Sequence, residues 1–186
     1  MATNVATANV TNVTNVVNGA TANVTNVTNG ADATFLNDIW TLYYHDPDDS
    51  NWTLESYHKL APISTVEELA TVAVTLSDTW DKGMFFIMRE HVQPLWEDKH
   101  NKLGGCFSMK VMKNHVNRVW FQTCAQTLGE TLVKDNTHWS TVTGISISPK
   151  KNFCIVRIWI GDAAHKDVGL YRLHNPEYTE IFFKPH

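Results

Sequence analysis

Apolar residues change rhythm several times along this chain, and the changes predict its elements. Residues 39–44 are crowded with aromatic and bulky apolar side chains and read as a strand. The next stretch, His45-Asp46-Pro47-Asp48-Asp49-Ser50-Asn51, is polar and turn-rich, a loop ended by Trp52. From Leu54 to Ala61 the pattern alternates with the two-residue period of a second strand. Ser64-Thr65-Val66-Glu67 has the form of a capping box, with Ser64 and Glu67 opening a helix that runs to about Leu76. Gly83 to Met88 reads as a buried strand, 96–105 as a polar loop closed by Gly104-Gly105, and Cys106 to Met112 as the next strand. Asn117 is placed to cap a helix through about Leu128, ended by Gly129. Gly144 to Ser148 and Phe153 to Ile160 pair around the turn Pro149-Lys150-Lys151-Asn152. Asp162 is expected to cap a third helix to about His174, and Thr179 to Phe183 to form a last strand. Strand pairs with three helices between them predict an α+β fold, a mostly antiparallel sheet with helices on one face.

None of this rhythm exists before about residue 30. That stretch contains only Met, Ala, Thr, Asn, Val and Gly, with Asn-Val-Thr recurring at Asn9, Asn12, Asn23 and Asn26. Such sequence cannot bury enough apolar surface to offset chain entropy. Residues 1–33 are therefore expected to be a disordered tail, and 34–186 one domain with a sizeable core. Asn-Val-Thr and Asn51-Trp52-Thr53 match glycosylation acceptors, which matter only in a secreted chain. The N-terminus lacks a basic region and an apolar run, so no signal peptide is expected, and no segment has the length of a membrane span. Cys106, Cys124 and Cys154 lack metal-type spacing and read as free thiols in a reducing, cytoplasmic setting. A net charge of −4 argues against a surface coated all over by nucleic acid, but leaves room for a small basic pocket.

The chemistry concentrates at Trp96-Glu97. A flat π surface beside a carboxylate can hold a planar base by its face and its edge. Guanine offers a carboxylate two adjacent donors, N1–H and the exocyclic amine, so the pair reads as half of a guanine reader needing a second aromatic wall. Enzyme signatures are missing: there is no Gly-x-Ser-x-Gly, P-loop, His-x-His or His-Glu-x-x-His. The nine His are scattered, and Asp46, Asp48 and Asp49 lack the later ligands of a Ca²⁺ loop. Binding without catalysis, cofactor or metal is the expectation.

The run Pro94-Leu95-Trp96-Glu97-Asp98-Lys99-His100-Asn101-Lys102-Leu103-Gly104-Gly105 resembles the signature of the initiation factor 4E family. Trp40 and Trp52, Thr65-Val66-Glu67-Glu68, Arg118-Val119-Trp120 through Gly129-Glu130, Gly144 and Ile158-Trp159 keep the same order and spacing. The resemblance implies a curved antiparallel sheet backed by three helices on its convex face. The 7-methylguanosine triphosphate cap of messenger RNA would lie on the concave side. It implies that Trp52 and Trp96 sandwich the methylated base, that Glu97 reads its edge, and that Trp159 contacts the N7 methyl group. Methylation at N7 makes the ring cationic, which adds cation–π attraction to stacking.

For the phosphates, Lys150 aligns with a family Arg, and Lys151 is adjacent. Ile155 stands where the family has a phosphate-binding Lys, and Cys106 where it has a basic residue. Arg157 shares the Trp159 strand face by period-2 alternation and is expected to take over a phosphate contact. The family's convex surface maps to Val66, Ala70, Trp120 and Phe121, with Ala70 standing where a partner-binding Trp is usual. An initiation scaffold or a 4E-binding regulator would dock there as a helix. The resemblance thus implies a cytoplasmic cap-binding protein of translation initiation. A cap-binding repressor or storage factor is the alternative, and a cap-hydrolysing or transferring enzyme a distant third.

Overall fold

The computed structural model describes residues 33–173 and 177–186. The expected tail, apart from residue 33, and the expected helix end at His174 lie outside them. Seven strands run β1 Phe35–His45, β2 His58–Thr65, β3 Met84–Arg89, β4 Gly105–Met112, β5 Val142–Pro149, β6 Phe153–Ile160 and β7 Tyr178–Pro185. They form one curved open sheet in the order β2-β1-β3-β5-β6-β4-β7, and every neighbouring pair is antiparallel. Two α-helices, α1 Val66–Thr75 and α2 Val116–Leu128, cover one face.

Period-2 alternation sorts the side chains. Trp40, Leu42, Phe85, Ile87, Phe107, Ile145 and Ile158 point to the helix-covered side, where Leu69, Val119 and Trp120 close the main core. Tyr43, Phe86, Met88, Cys106 and Trp159 make a smaller cluster on the opposite, open face. No described helix is long and apolar enough to cross a membrane.

Local differences from the sequence expectation have physical causes. The capping box sits one residue later than expected, on Thr65 and Glu68. Thr65 Oγ1 accepts from the Glu68 amide at 3.1 Å, and the Glu68 carboxylate accepts from the Thr65 amide at 3.0 Å. The same carboxylate accepts from the Ser64 amide and hydroxyl. Glu67 instead receives the Thr34 amide, fastening the start of β1. Thr65→Ala should therefore cost about 1 kcal/mol and lower the melting temperature by roughly 2–4 °C. A circular-dichroism melt identical to that of the unmodified chain would rule the box out as a stabiliser.

Helix α2 starts at Val116 directly after a 3₁₀ turn, with His115 at the cap position, and Asn117 lies inside its first turn instead of capping it. Gly129 ends α2, while the left-handed φ of 55° falls on Glu130. The second strand starts at His58, because Leu54–Ser56 is wound into a 3₁₀ turn by the Ser56 hydroxyl bonding to the Thr53 carbonyl.

The third helix is replaced by two 3₁₀ turns, Ala163–His165 and Val168–Leu170. Asp162 does cap, but Asp167 caps again five residues later, receiving the Gly169 amide. Two caps that close together restart the turn before α-helical bonding can propagate. The backbone is also used elsewhere: the Ala163 amide bonds the Leu103 carbonyl and the Arg172 amide bonds Leu132.

Candidate functional site

The open face is organised by strand register. Trp159 on β6 stands opposite Gly144 on β5 and Cys106 on β4, and Cys106 stands opposite Lys184 on β7. One row along, Arg157 lies between Ser146 and Ser108. A Cβ on Gly144 would collide with the Met88 thioether and crowd the Ile87 carbonyl, so a larger residue there would have to displace Met88 on this face. Trp159 is 2% exposed, its Nε1 donating to Ser146 Oγ at 3.0 Å and its edge meeting Phe86.

Trp52 reaches this face on the loop after β1. Asp46 accepts the Asp48 amide and Asp49 the Asn51 amide, two Asx turns that curl the loop. Buried His45 has Nδ1 and Nε2 each 2.8 Å from a carbonyl oxygen, those of Asp46 and Asn51, and so pins both ends. Trp52 lies flat on the His45 ring, 4.2 Å between centroids and 6° between planes. One indole face is thus covered by protein, and the residue remains 51% exposed.

Trp96 and Glu97 come from the loop between β3 and β4. Asn101 is fully buried, and its amide donates to the Gln93 and Leu95 carbonyls at 3.0 and 2.8 Å. The Asp98 carboxylate receives the His100 amide, and its backbone carbonyl receives the Asn101 and Lys102 amides. A Cβ on Gly104 would strike the Ile160 carbonyl, so glycine is needed where this loop rejoins the sheet. Asp98, Asn101 and Gly104 fix the loop, leaving Trp96 (55% exposed) and Glu97 at its exposed tip.

These elements converge on one pocket of about 500 Å³. Trp52, Trp96, Glu97, Trp159, Lys150 and Arg157 all line it, with Tyr57, Met84 and Phe86 as its apolar floor. Every residue expected at the base and phosphate positions is therefore brought together. Lys151, adjacent to Lys150, is exposed on the turn and does not line the pocket. Arg157 donates to Ser148 Oγ at 3.2 Å, and burial lowers its pKa without threatening its charge near neutrality. Burial pushes the Cys106 thiol up to about 12 despite Arg157 nearby, so Cys106 is uncharged there. Burial, and then the negative charge of Glu97, push the Tyr57 hydroxyl up to about 12. Tyr57 also touches His45, Trp52 and Phe86, linking the Trp52 loop to the floor.

Lys184 and His186 were not among the expected site residues. The Lys184 ammonium lies 5.9 Å from the Trp96 ring centroid, and the His186 ring stacks beside Trp96 at 6.0 Å and meets Trp159 at 5.0 Å. Alternation along the last strand carries a signal for them, but only once β7 is known to neighbour β4.

On the helix-covered side, Val66, Ala70 and Phe121 present exposed side chains. Trp120 does not: it is 1% exposed and packs on Trp80 at 5.8 Å. Its place on α2 shares the inward stripe with Val116, Val119 and Cys124, so it is core where a partner surface was expected.

The sequence model described as eukaryotic initiation factor 4E matches residues 35–181. The chain belongs to the initiation factor 4E family. Eukaryotic translation initiation factor 4E of Saccharomyces cerevisiae is 27% identical over 131 residues, covering 67% of this chain and 60% of that protein. The factor 4E homologue of Acanthamoeba polyphaga mimivirus is 26% identical over 131 residues, covering 59% of this chain and 48% of that one. The chain spans about three fifths of the length of the factor 4E proteins of Eremothecium gossypii and Saccharomyces cerevisiae that it matches. Among solved structures, C. elegans eIF4E-3 in complex with the 4E-binding protein Mextli and a cap analog superposes with a TM-score of 0.70 at 18% identity. That match covers 83% of this chain and 94% of the other. Ascaris suum eIF4E-3 with an m7G cap gives 0.64 at 22% identity, covering 75% and 79%. At these identities the superpositions establish the factor 4E fold.

Proposed function

We propose that this chain binds the 7-methylguanosine triphosphate cap of messenger RNA and serves translation initiation. The observation that carries the reading is the convergence of Trp52, Trp96, Glu97 and Trp159 on one pocket that Lys150 and Arg157 also line. The two exposed indoles receive the faces of the methylated base, each worth about 1–3 kcal/mol of stacking. Glu97 accepts the N1–H and amine donors of the guanine edge and favours the positive ring. Trp159, locked by Ser146 and Phe86, sets the depth of the slot at the methyl group. Lys150 and Arg157 meet the phosphates. The site binds and releases its ligand without chemistry on it. The compartment that follows from this role is the cytoplasm.

The relatives named above include a complex with a 4E-binding protein, and we assign the same kind of helix docking to the patch around Val66, Ala70 and Phe121. Ala70 provides only a methyl group as a pocket wall, so the partner helix must fit a shallower surface than an indole would build. Proteins recovered on cap resin separate an initiation scaffold from a repressor.

The slot is tested by intrinsic tryptophan fluorescence. Adding 7-methyl-GTP should quench it at concentrations at least tenfold below those needed for unmethylated GTP, the scale of one cation–π contact in a dry slot. Equal affinities for the two nucleotides would overturn the cationic-sandwich reading.

A further inference from the structure

Trp52 rests on His45, and the enclosure of that histidine says how many protons it carries. His45 ends β1 fully buried, with Nδ1 2.8 Å from the Asp46 carbonyl oxygen and Nε2 2.8 Å from that of Asn51. A carbonyl oxygen only accepts, so each contact needs an N–H on the ring. A neutral imidazole has one N–H and would turn a lone pair on the other oxygen, leaving two acceptors opposed in a buried place. An imidazolium has both donors.

The groups around the ring suit that charge. The Trp52 indole covers its face, 4.2 Å away and 6° from parallel, and offers its π cloud. Tyr57 meets the ring at 4.8 Å, its hydroxyl held neutral by burial and then by Glu97. On β3 the partner of His45 is the uncharged Met84, and on β2 His58 stacks on Tyr44, whose ring lies in the main core. Glu55 and Lys59 are exposed to solvent. The loop that His45 closes carries Asp46, Asp48 and Asp49 and no Lys or Arg. Glu97, Lys150 and Arg157 are the further charges lining the pocket, one acid and two bases.

We propose that His45 is a positioning residue for the base slot, an imidazolium clamp that holds Trp52 ready and opens when the ring gives up a proton. The ligand side of this rests on the cap-binding reading; the clamp itself does not. Loss of either proton removes one of the two bonds that tie the ends of the loop 46–51. Trp52 then leaves its stacked position part of the time, and affinity falls because the slot must be reassembled on binding. The clamp is thus whole while the ring is doubly protonated and is lost as pH rises through its deprotonation. The same charge faces the cationic base across the indole, which works in the opposite direction. Asp46, Asp48, Asp49 and Glu97 offset that repulsion, so the order of the loop sets the sign.

Nitrogen nuclear magnetic resonance of the ligand-free chain, from mildly acidic to mildly alkaline pH, reads the clamp directly. Both His45 ring nitrogens should carry protons at the acid end. The Trp52 indole signal should broaden as pH rises, with the same midpoint as the His45 ring. A ring that holds one proton throughout, or a Trp52 signal indifferent to the titration, would overturn the proposal. Binding of 7-methyl-GTP is then compared over the same range in the unmodified chain and His45→Phe, which keeps a flat ring under Trp52 without donors. At the acid end His45→Phe should bind roughly tenfold more weakly, the scale of one hydrogen bond from a charged donor. The gap should narrow as pH rises. Titration of the base and of Glu97 is common to both proteins and cancels in the ratio. A ratio constant with pH would make His45 packing only and sink the clamp. If 7-methyl-GTP binds neither protein, the cap reading fails, and the clamp is judged by the resonance titration alone: a shared midpoint supports it, and separate midpoints overturn it.

Discussion

Trp96→Ala should weaken 7-methyl-GTP binding by at least about one order of magnitude and leave the melting temperature almost unchanged. Base–aromatic stacking is worth about 1–3 kcal/mol per base, and the positive ring adds a cation–π contribution of about 0.5–2 kcal/mol. The fold should not respond, because the indole is 55% exposed and its ring neighbours are His186 and the Lys184 ammonium, both at the surface of the slot. The loop behind it is held by Asn101 and Asp98, which the substitution does not touch. Trp52→Ala should produce a similar loss of affinity with a small loss of stability, because it also uncovers the stacked face of His45. Fluorescence titration and calorimetric melting of both variants check this. Unchanged affinity in Trp96→Ala would remove the sandwich, whatever the fold resemblance.

The pair of variants separates two kinds of residue that the sequence runs together. Trp96-Glu97-Asp98 reads as one motif, yet Asp98 holds the loop through backbone amides and the other two face the pocket. Asn101 was legible only as part of a family pattern. Its reason is the pair of carbonyls, Gln93 and Leu95, that would otherwise be buried without donors. Strand positions were readable wherever alternation was clean, as on β6, where Cys154, Val156 and Ile158 face the core and Arg157 and Trp159 the pocket. That alternation was enough to place Arg157 in the site.

The failures share a cause. The capping box slipped by one residue because Ser64 and Thr65 are both competent caps, and the choice was made by where β2 ends. The third helix failed because two aspartates compete to cap within six residues and the backbone is claimed by distant carbonyls. Trp120 was assigned to the partner surface through the family resemblance, while packing against Trp80 puts it in the core. Lys184 and His186 were missed because neither β7's neighbour nor its register is written locally. Each depends on a long-range partner, which a single sequence encodes only through the whole fold.

Glu97→Gln should cost the most affinity of any single change in the slot, about 3–5 kcal/mol, or several hundred-fold or more. A carboxylate presents two acceptors to the two guanine donors, and hydrogen bonds to a charged group contribute about 1.5–3 kcal/mol each. The amide keeps one acceptor and sets an N–H₂ group against the other donor, leaving it unpaired in a confined site. It also removes the negative charge that offsets the positive ring. Glu97 is exposed and lies at the loop tip, so the fold should melt where the unmodified chain does. The variant has a second readout that needs no ligand. Burial holds His186 below the usual histidine range while Glu97 pulls it upward, so removing that charge should let the His186 pKa fall further. The Tyr57 hydroxyl, raised first by burial and then by Glu97, should fall as well. Nuclear magnetic resonance titration of His186 follows the first shift directly. A downward move with unimpaired 7-methyl-GTP affinity would place the carboxylate beside the slot and refute its role in reading the base. Loss of affinity together with that move, and with Trp96 and Trp52 still in place, would leave the guanine edge as the group that Glu97 holds.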